Sequence, residues 1–257
     1  MFQNTIRQPI RHIQPPGVGN KGNTLDLFEI FEIVAEGLSD SAATYSRNQA
    51  LASNNGVAQK NKEAAEFQRK LSEEDSRAMA EFGLWLVREG RNRELGLEYL
   101  ARAALKNEWT ILPTYSWYCL KTEKYDDYIV LYEACRKRIP AITDIMEEFH
   151  NEYLIITAHI DGNYALSKLA TGSPFEIAEK IWFHHSQLVD HAESFVFPVV
   201  TAHKRGDFTS RDALAKTVKP GMWEETKQAM LKEQLTSKGW FKTWCKESYA
   251  ILVELGH

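Results

Sequence analysis

Apolar side chains along this chain return every three or four residues rather than every second one, and that period selects the helix. The first clear stripe is Leu27, Ile30, Phe31, Val34 and Leu38, with Asp26, Glu29, Glu32 and Glu36 between them. Carboxylates in a first turn suit the positive end of a helix dipole. Val57, Ala64 and Leu71 fall seven apart and predict a further helix over 57–72 with a narrow apolar seam. Four helices follow near 75–89, 93–105, 109–121 and 125–138, punctuated by Gly90, the Asn107 region and the turn at 121–124. Pro113 belongs in a first turn, so the third of these is expected to begin a few residues after Trp109. Two long amphipathic helices are predicted over 141–160 and 174–196, the second opening near Pro174. Gly206, Pro220, Gly221 and Gly239 divide the remainder into further helical stretches. No stretch alternates at period two, so the expected class is all-α.

These patterns divide the chain into four regions. Residues 1–23 read as a flexible tail, because Pro9, Pro15 and Pro16 block regular helix and Gly17, Gly19 and Gly22 loosen it. Residues 24–72 form an N-terminal helical segment, with a Ser-, Asn- and Ala-rich stretch at 39–56 that is a weakly packed helix or a linker. Residues 73–140 carry the strongest helical signal, and 141–257 form a C-terminal helical region.

The 73–140 region is internally duplicated. At an offset of 32 residues Trp85 aligns with Trp117, Gly96 with Tyr128, Leu100 with Tyr132 and Ala103 with Cys135. Each copy reads as a helix, a short polar turn and a second helix, a unit that cannot bury its stripe alone and so stacks. Tyr128, Tyr132, Cys135 and Pro140 stand at the spacing of the small, aromatic, small and proline positions that close a tetratricopeptide repeat, and the second copy resembles that family. The first copy, with Gly96, Leu100, Ala103 and Ala104, is similar to a Sel1-like repeat. The resemblance covers about 65 residues. It implies a helical-hairpin core whose first helices line a concave groove, with Glu81, Trp85 and Arg88 entering from one copy and Trp117 and Lys121 from the other. Exposed tryptophans there would anchor a partner peptide; buried, they would be core.

Composition narrows the field of partners. Hydrophobic residues are 44% and charged residues 26%, with a formal net charge of -4, so no global positive field draws the chain to nucleic acid or to an anionic membrane. No stretch approaches the ~20 apolar residues of a membrane span, and no apolar run follows the basic N-terminal residues as a signal peptide requires. Cys119, Cys135 and Cys245 form no spaced set, which fits a reducing compartment; the expected location is cytoplasmic.

Six of the eight histidines lie between residues 150 and 203. Helical spacing puts Glu148, Glu152 and His159 on one stripe and Lys180, His184 and His191 on another. Carboxylates and imidazoles on facing helices are the raw material of a divalent transition-metal site. Lys180 opposes that reading, since a cation on the stripe repels a metal and pairs with Glu152 instead. Glycine-rich phosphate loops, nucleophile elbows and CxxC pairs are missing from the sequence. The expected function is therefore a non-catalytic protein-protein interaction module, an adaptor, chaperone or regulator that needs no cofactor. A helical metalloprotein using Glu148, Glu152, His159, His184 and His191 is the alternative, and self-association through the C-terminal helices a third reading.

Overall fold

The computed structural model describes residues 55–256, and every regular element among them is helical. No helix among the described residues is long and apolar enough to cross a membrane. The expected stripe at 24–38 and the tail at 1–23 lie outside the described residues. The chain separates into two compact units, with the boundary between Ile111 and Leu112. That boundary falls inside the 73–140 stretch, so the two copies of the duplicated hairpin belong to different units.

In the first unit, α1 (Asn55–Ser72) precedes a hairpin of α2 (Ser76–Glu89) and α3 (Arg93–Leu105). Short polar side chains set its starts. The Asp75 carboxylate accepts from the Ala78 N–H at 2.8 Å, and the Asn92 side chain accepts from the Leu95 N–H at 3.1 Å. Such caps are worth about 1 kcal/mol each. Gly90 ends α2 at a φ of 67°, a left-handed conformation open to glycine at little cost. The two helices touch backbone to backbone. A Cβ on Gly83 would stand 2.8 Å from the Gly96 carbonyl oxygen, and one on Gly96 would stand 2.7 Å from Val87 Cγ2. Met79, Phe82, Leu86, Leu100, Ala103 and Ala104 fill the space around that contact. Phe67 meets Phe82 edge-on at 6.2 Å and ties α1 to the hairpin.

The second unit opens with α4 (Leu112–Lys121) and α5 (Tyr125–Cys135), the second copy of the hairpin. The positions equivalent to Gly83 and Gly96 are here Tyr115 and Tyr128, whose ring centroids lie 6.3 Å apart. Rings where the first copy has glycines hold these helices further apart, and α6 (His150–Ala170) packs on both. The Tyr128 hydroxyl donates to the Ile160 carbonyl at 2.8 Å, and Asn163 Nδ2 donates to Ser116 Oγ at the same distance. The chain continues through α7 (Phe175–Ser186), α8 (Ala192–Lys204), α9 (Phe208–Ala215), α10 (Pro220–Thr236) and α11 (Gly239–Glu254). Their core gathers Leu166, Trp182, Val196, Phe197, Trp244 and Leu252. The Trp182 ring meets Phe197 edge-on at 5.2 Å.

Two predicted helices are displaced. The helix expected over 141–160 runs instead from His150 to Ala170, preceded by short 3-10 turns at Ile142–Asp144 and Glu147–Phe149. Side chains hold that approach segment on the first turns of α6: Tyr153 donates its hydroxyl to the Pro140 carbonyl at 2.6 Å, and His150 Nε2 donates to the Ile145 carbonyl at 2.8 Å. Residues 161–163 (Asp-Gly-Asn) look like a turn. They stay helical because each polar group finds a partner and Gly162 leaves room for the Trp182 indole, 3.6 Å from where its Cβ would stand. The helix expected over 174–196 breaks after Ser186, and His191 becomes the residue that heads α8.

Candidate functional site

The side chains expected to line a groove have other duties. Trp85 is 5% exposed and stacks on Phe82 at 5.8 Å, and Trp117 is 9% exposed. Buried rings of this kind are packing, and neither offers the free face an anchor needs. Glu81 pairs with Arg77 on its own helix at 3.1 Å, and Arg88 is exposed. Lys121 is committed within its unit. Its ammonium lies 3.7 Å from the Trp117 ring centroid, 3.1 Å from the Glu233 carboxylate and 2.6 Å from Thr236 Oγ1. Glu233 is 2% exposed and also accepts from Ser237 Oγ at 3.1 Å, so this is a nearly dry ion pair bridging α4 and α10.

Of the five proposed metal-site residues the fold unites only two. Glu148 stands in the 3-10 turn before α6 and Glu152 in the first turn of α6; both are exposed and without an ion-pair partner among the described residues. His184 is exposed near the end of α7. The break after Ser186 rotates His191 off that helix and onto His159, where its Nε2 lies 3.2 Å from His159 Nδ1. The third member is Glu193, which the stripe reading passed over. Its carboxylate is 3.0 Å from His191 Nε2, while His191 Nδ1 takes the Ser194 hydroxyl at 3.0 Å. The Glu193 carboxylate only accepts, so His191 Nε2 carries the proton and its one N–H is shared between that carboxylate and His159 Nδ1. Burial, reinforced by the facing His191, holds the His159 imidazole neutral with a pKa lowered to about 3. Burial opposes ionisation of Glu193, but the charge and hydrogen bond of His191, with His159 and the Glu193 backbone N–H, together lower that pKa to about 2. Among the described residues no set of three His, Cys, Asp or Glu side chains is disposed to hold a metal ion.

A cleft of about 280 Å³ opens elsewhere in the second unit, where the segment after α5 passes α6 and α7. Ile139 and Ile142 from that segment, Leu154 from α6 and Leu188 from beyond α7 give it apolar walls. Its polar end is built from Asp161, His185 and Arg136. Asp161 Oδ1 accepts the Tyr132 hydroxyl at 2.7 Å, and Oδ2 accepts His185 Nε2 at 2.8 Å. A carboxylate only accepts, so Nε2 carries the ring proton. Burial and the neighbouring Asp161 charge push the Tyr132 pKa well above its ordinary value, so its hydroxyl stays a donor. Tyr132 is fixed in turn by stacking on Tyr164, with centroids 4.0 Å apart. Arg136 stands exposed at the mouth, its guanidinium 5.9 Å from the Tyr132 ring centroid, with no carboxylate partner among the described residues.

An Asp–His pair also serves general-base catalysis, but the geometry here points away from it. The second His185 nitrogen, Nδ1, is sealed from solvent with no hydrogen-bond partner among the described residues, so no substrate proton reaches it in this conformation. The Thr157 hydroxyl of the cleft wall is spent on the carbonyls of Tyr153 and Leu154 in its own helix, and the Tyr153 hydroxyl on Pro140. All three cysteines are buried, and burial pushes the Cys119 thiol up to about 12.

Sequence reasoning missed Asp161, His185, Tyr132, Arg136 and Glu193. Asp161 falls just past the helix predicted over 141–160. Tyr132 was read only as a repeat position. Glu193 meets His191 and His159 because the break after Ser186 puts it in the first turn of α8. No family model, curated protein or solved structure matches the chain.

Proposed function

We propose that the chain is a non-catalytic interaction module that binds a segment of a protein partner, anchored in the cleft between the post-α5 segment, α6 and α7. The observation that carries this reading is the cleft itself, apolar on its walls and polar at one end. At about 280 Å³ it is at or below the lower limit of small-molecule sites. That volume suits one or two side chains of a peptide better than a whole cofactor. Leu188 on its wall is 45% exposed. It leaves apolar surface open at the cleft for a bound segment to cover. The duplicated hairpins then serve as scaffold, with Trp85 and Trp117 as packing.

The test is selection of a random peptide library on the full chain, followed by affinity measurement on Leu188→Gln. Leu188 is exposed enough that its replacement leaves the fold intact. Losing its burial under a ligand costs about 1.5–3 kcal/mol, so selected peptides should bind roughly tenfold more weakly or worse. Peptides that bind wild type and Leu188→Gln equally well, or no enrichment at all, would overturn the reading.

A further inference from the structure

Resting on that reading, we infer that the occupant of the cleft presents an apolar side chain beside a carboxylate, and that Arg136 receives the carboxylate. The cleft has two chemically distinct ends, and its charges are unequally used. Asp161 has given one oxygen to the Tyr132 hydroxyl and the other to His185 Nε2. Arg136 lines the same cleft and has no carboxylate partner among the described residues. It is the guanidinium left to bind an anion, and its planar fork matches a carboxylate in two-point geometry. Arg136 opens a 3-10 turn of three consecutive basic residues, Arg136–Arg138, on a chain whose formal net charge is -4. An approaching acidic segment is drawn to that mouth.

The charge of the ligand is bounded as well. The occupant shares the cleft with the Asp161 carboxylate, and any negative charge there repels a dianionic phosphate twice as strongly as a singly charged carboxylate. The apolar walls then call for a Leu-, Ile- or Phe-sized side chain next to that charge. Two sources supply this chemistry: a free C-terminus ending in an apolar residue, or an Asp or Glu beside an apolar residue within a segment.

Two peptide libraries separate the sources, one displayed with a free C-terminal carboxylate and one with the random segment fused at both ends. Enrichment of apolar C-termini in the first library, or of apolar–acidic pairs in the second, is the expected result. For a synthetic peptide so selected, Arg136→Gln should weaken binding about ten- to a hundredfold, the range of a charge-assisted hydrogen bond. Amidating the terminus, or changing the peptide's Glu to Gln, should cause the same loss, and Arg136→Gln should then add little to it. The exposed Lys246→Gln on α11 is the control and should change nothing. If binding responds to Leu188→Gln but not to Arg136→Gln, the carboxylate inference fails while the cleft reading stands. If it responds to neither, both fail. A phosphoserine peptide binding more tightly than its Glu counterpart would overturn the preference for a single charge.

Discussion

Glycine-to-alanine substitution in the middle of two helices should have opposite effects here. In an unhindered helix interior the change stabilises by about 0.8–1.0 kcal/mol, because alanine loses less backbone entropy on folding. Gly162 lies in the middle of α6, and its added Cβ would stand 3.6 Å from Trp182 Nε1 and 3.9 Å from Cδ1. Those are ordinary contacts, so Gly162→Ala should gain close to the full ~1 kcal/mol. Gly83 lies in the middle of α2, where the new Cβ would be 2.8 Å from the Gly96 carbonyl oxygen and 2.9 Å from Leu100 Cγ. Neither atom is the end of a flexible chain. Overpacking of this kind costs about 1–3 kcal/mol, and against backbone the upper part of that range applies. The propensity gain offsets about 1 of it, leaving Gly83→Ala destabilised by roughly 2 kcal/mol. Because the two positions lie in different compact units, the readout should be local: native-state hydrogen exchange followed by mass spectrometry on peptides from 76–105 and from 150–186. Protection should fall in the first set for Gly83→Ala and rise in the second for Gly162→Ala. Unchanged or raised protection at 76–105 in Gly83→Ala would refute the backbone contact between α2 and α3, and with it the account of why the second hairpin, with Tyr115 and Tyr128 at those positions, is open to α6.

Acid should destabilise the second unit in two stages. His159 has an ordinary pKa of 6.5 that the fold lowers to about 3, so from 6.5 downward the unfolded chain binds a proton the folded chain refuses. Stability then falls by about 1.4 kcal/mol for each pH unit from this group, and below 4.5 the buried Glu193 carboxylate, lowered to about 2, adds a second loss of the same sign. Urea titrations at pH 7, 6 and 5 check this. His159→Gln should flatten the dependence above pH 4.5, and an equal slope in that variant would remove His159 as its source. The Lys121–Glu233 pair should behave as a buried ion pair. Lys121→Met strands the Glu233 charge and should cost about 3–5 kcal/mol, while the double change Lys121→Met, Glu233→Leu should recover most of it. A double variant no better than the single in urea unfolding followed by tryptophan fluorescence would show that the ammonium contributes more than charge balance.

The legible part of this chain was its local part. Helix starts and stops between 75 and 135 follow from Asp75, Gly90, Asn92 and Pro113, whose backbone preferences act within a turn or two and need no tertiary context. The all-α class follows from the same period-3.6 pattern. The candidate site depends on long-range satisfaction of polar groups, which periodicity does not encode. Asp161, Gly162 and Asn163 have the composition of a turn, and in isolation they would favour one. They continue a helix because Tyr132 and His185, Trp182, and Ser116 reach them from 20 to 47 residues away in sequence. Once that segment is helical, Asp161 faces His185 and the polar end of the cleft is fixed. The histidines show the same dependence in reverse. A single helix over 174–196 puts His184 and His191 on one stripe, whereas the break after Ser186 sends His191 to His159 and leaves His184 at the cleft. One unforeseen break therefore sends the two histidines of a single expected stripe to different places, His191 against the buried His159 and His184 beside the cleft.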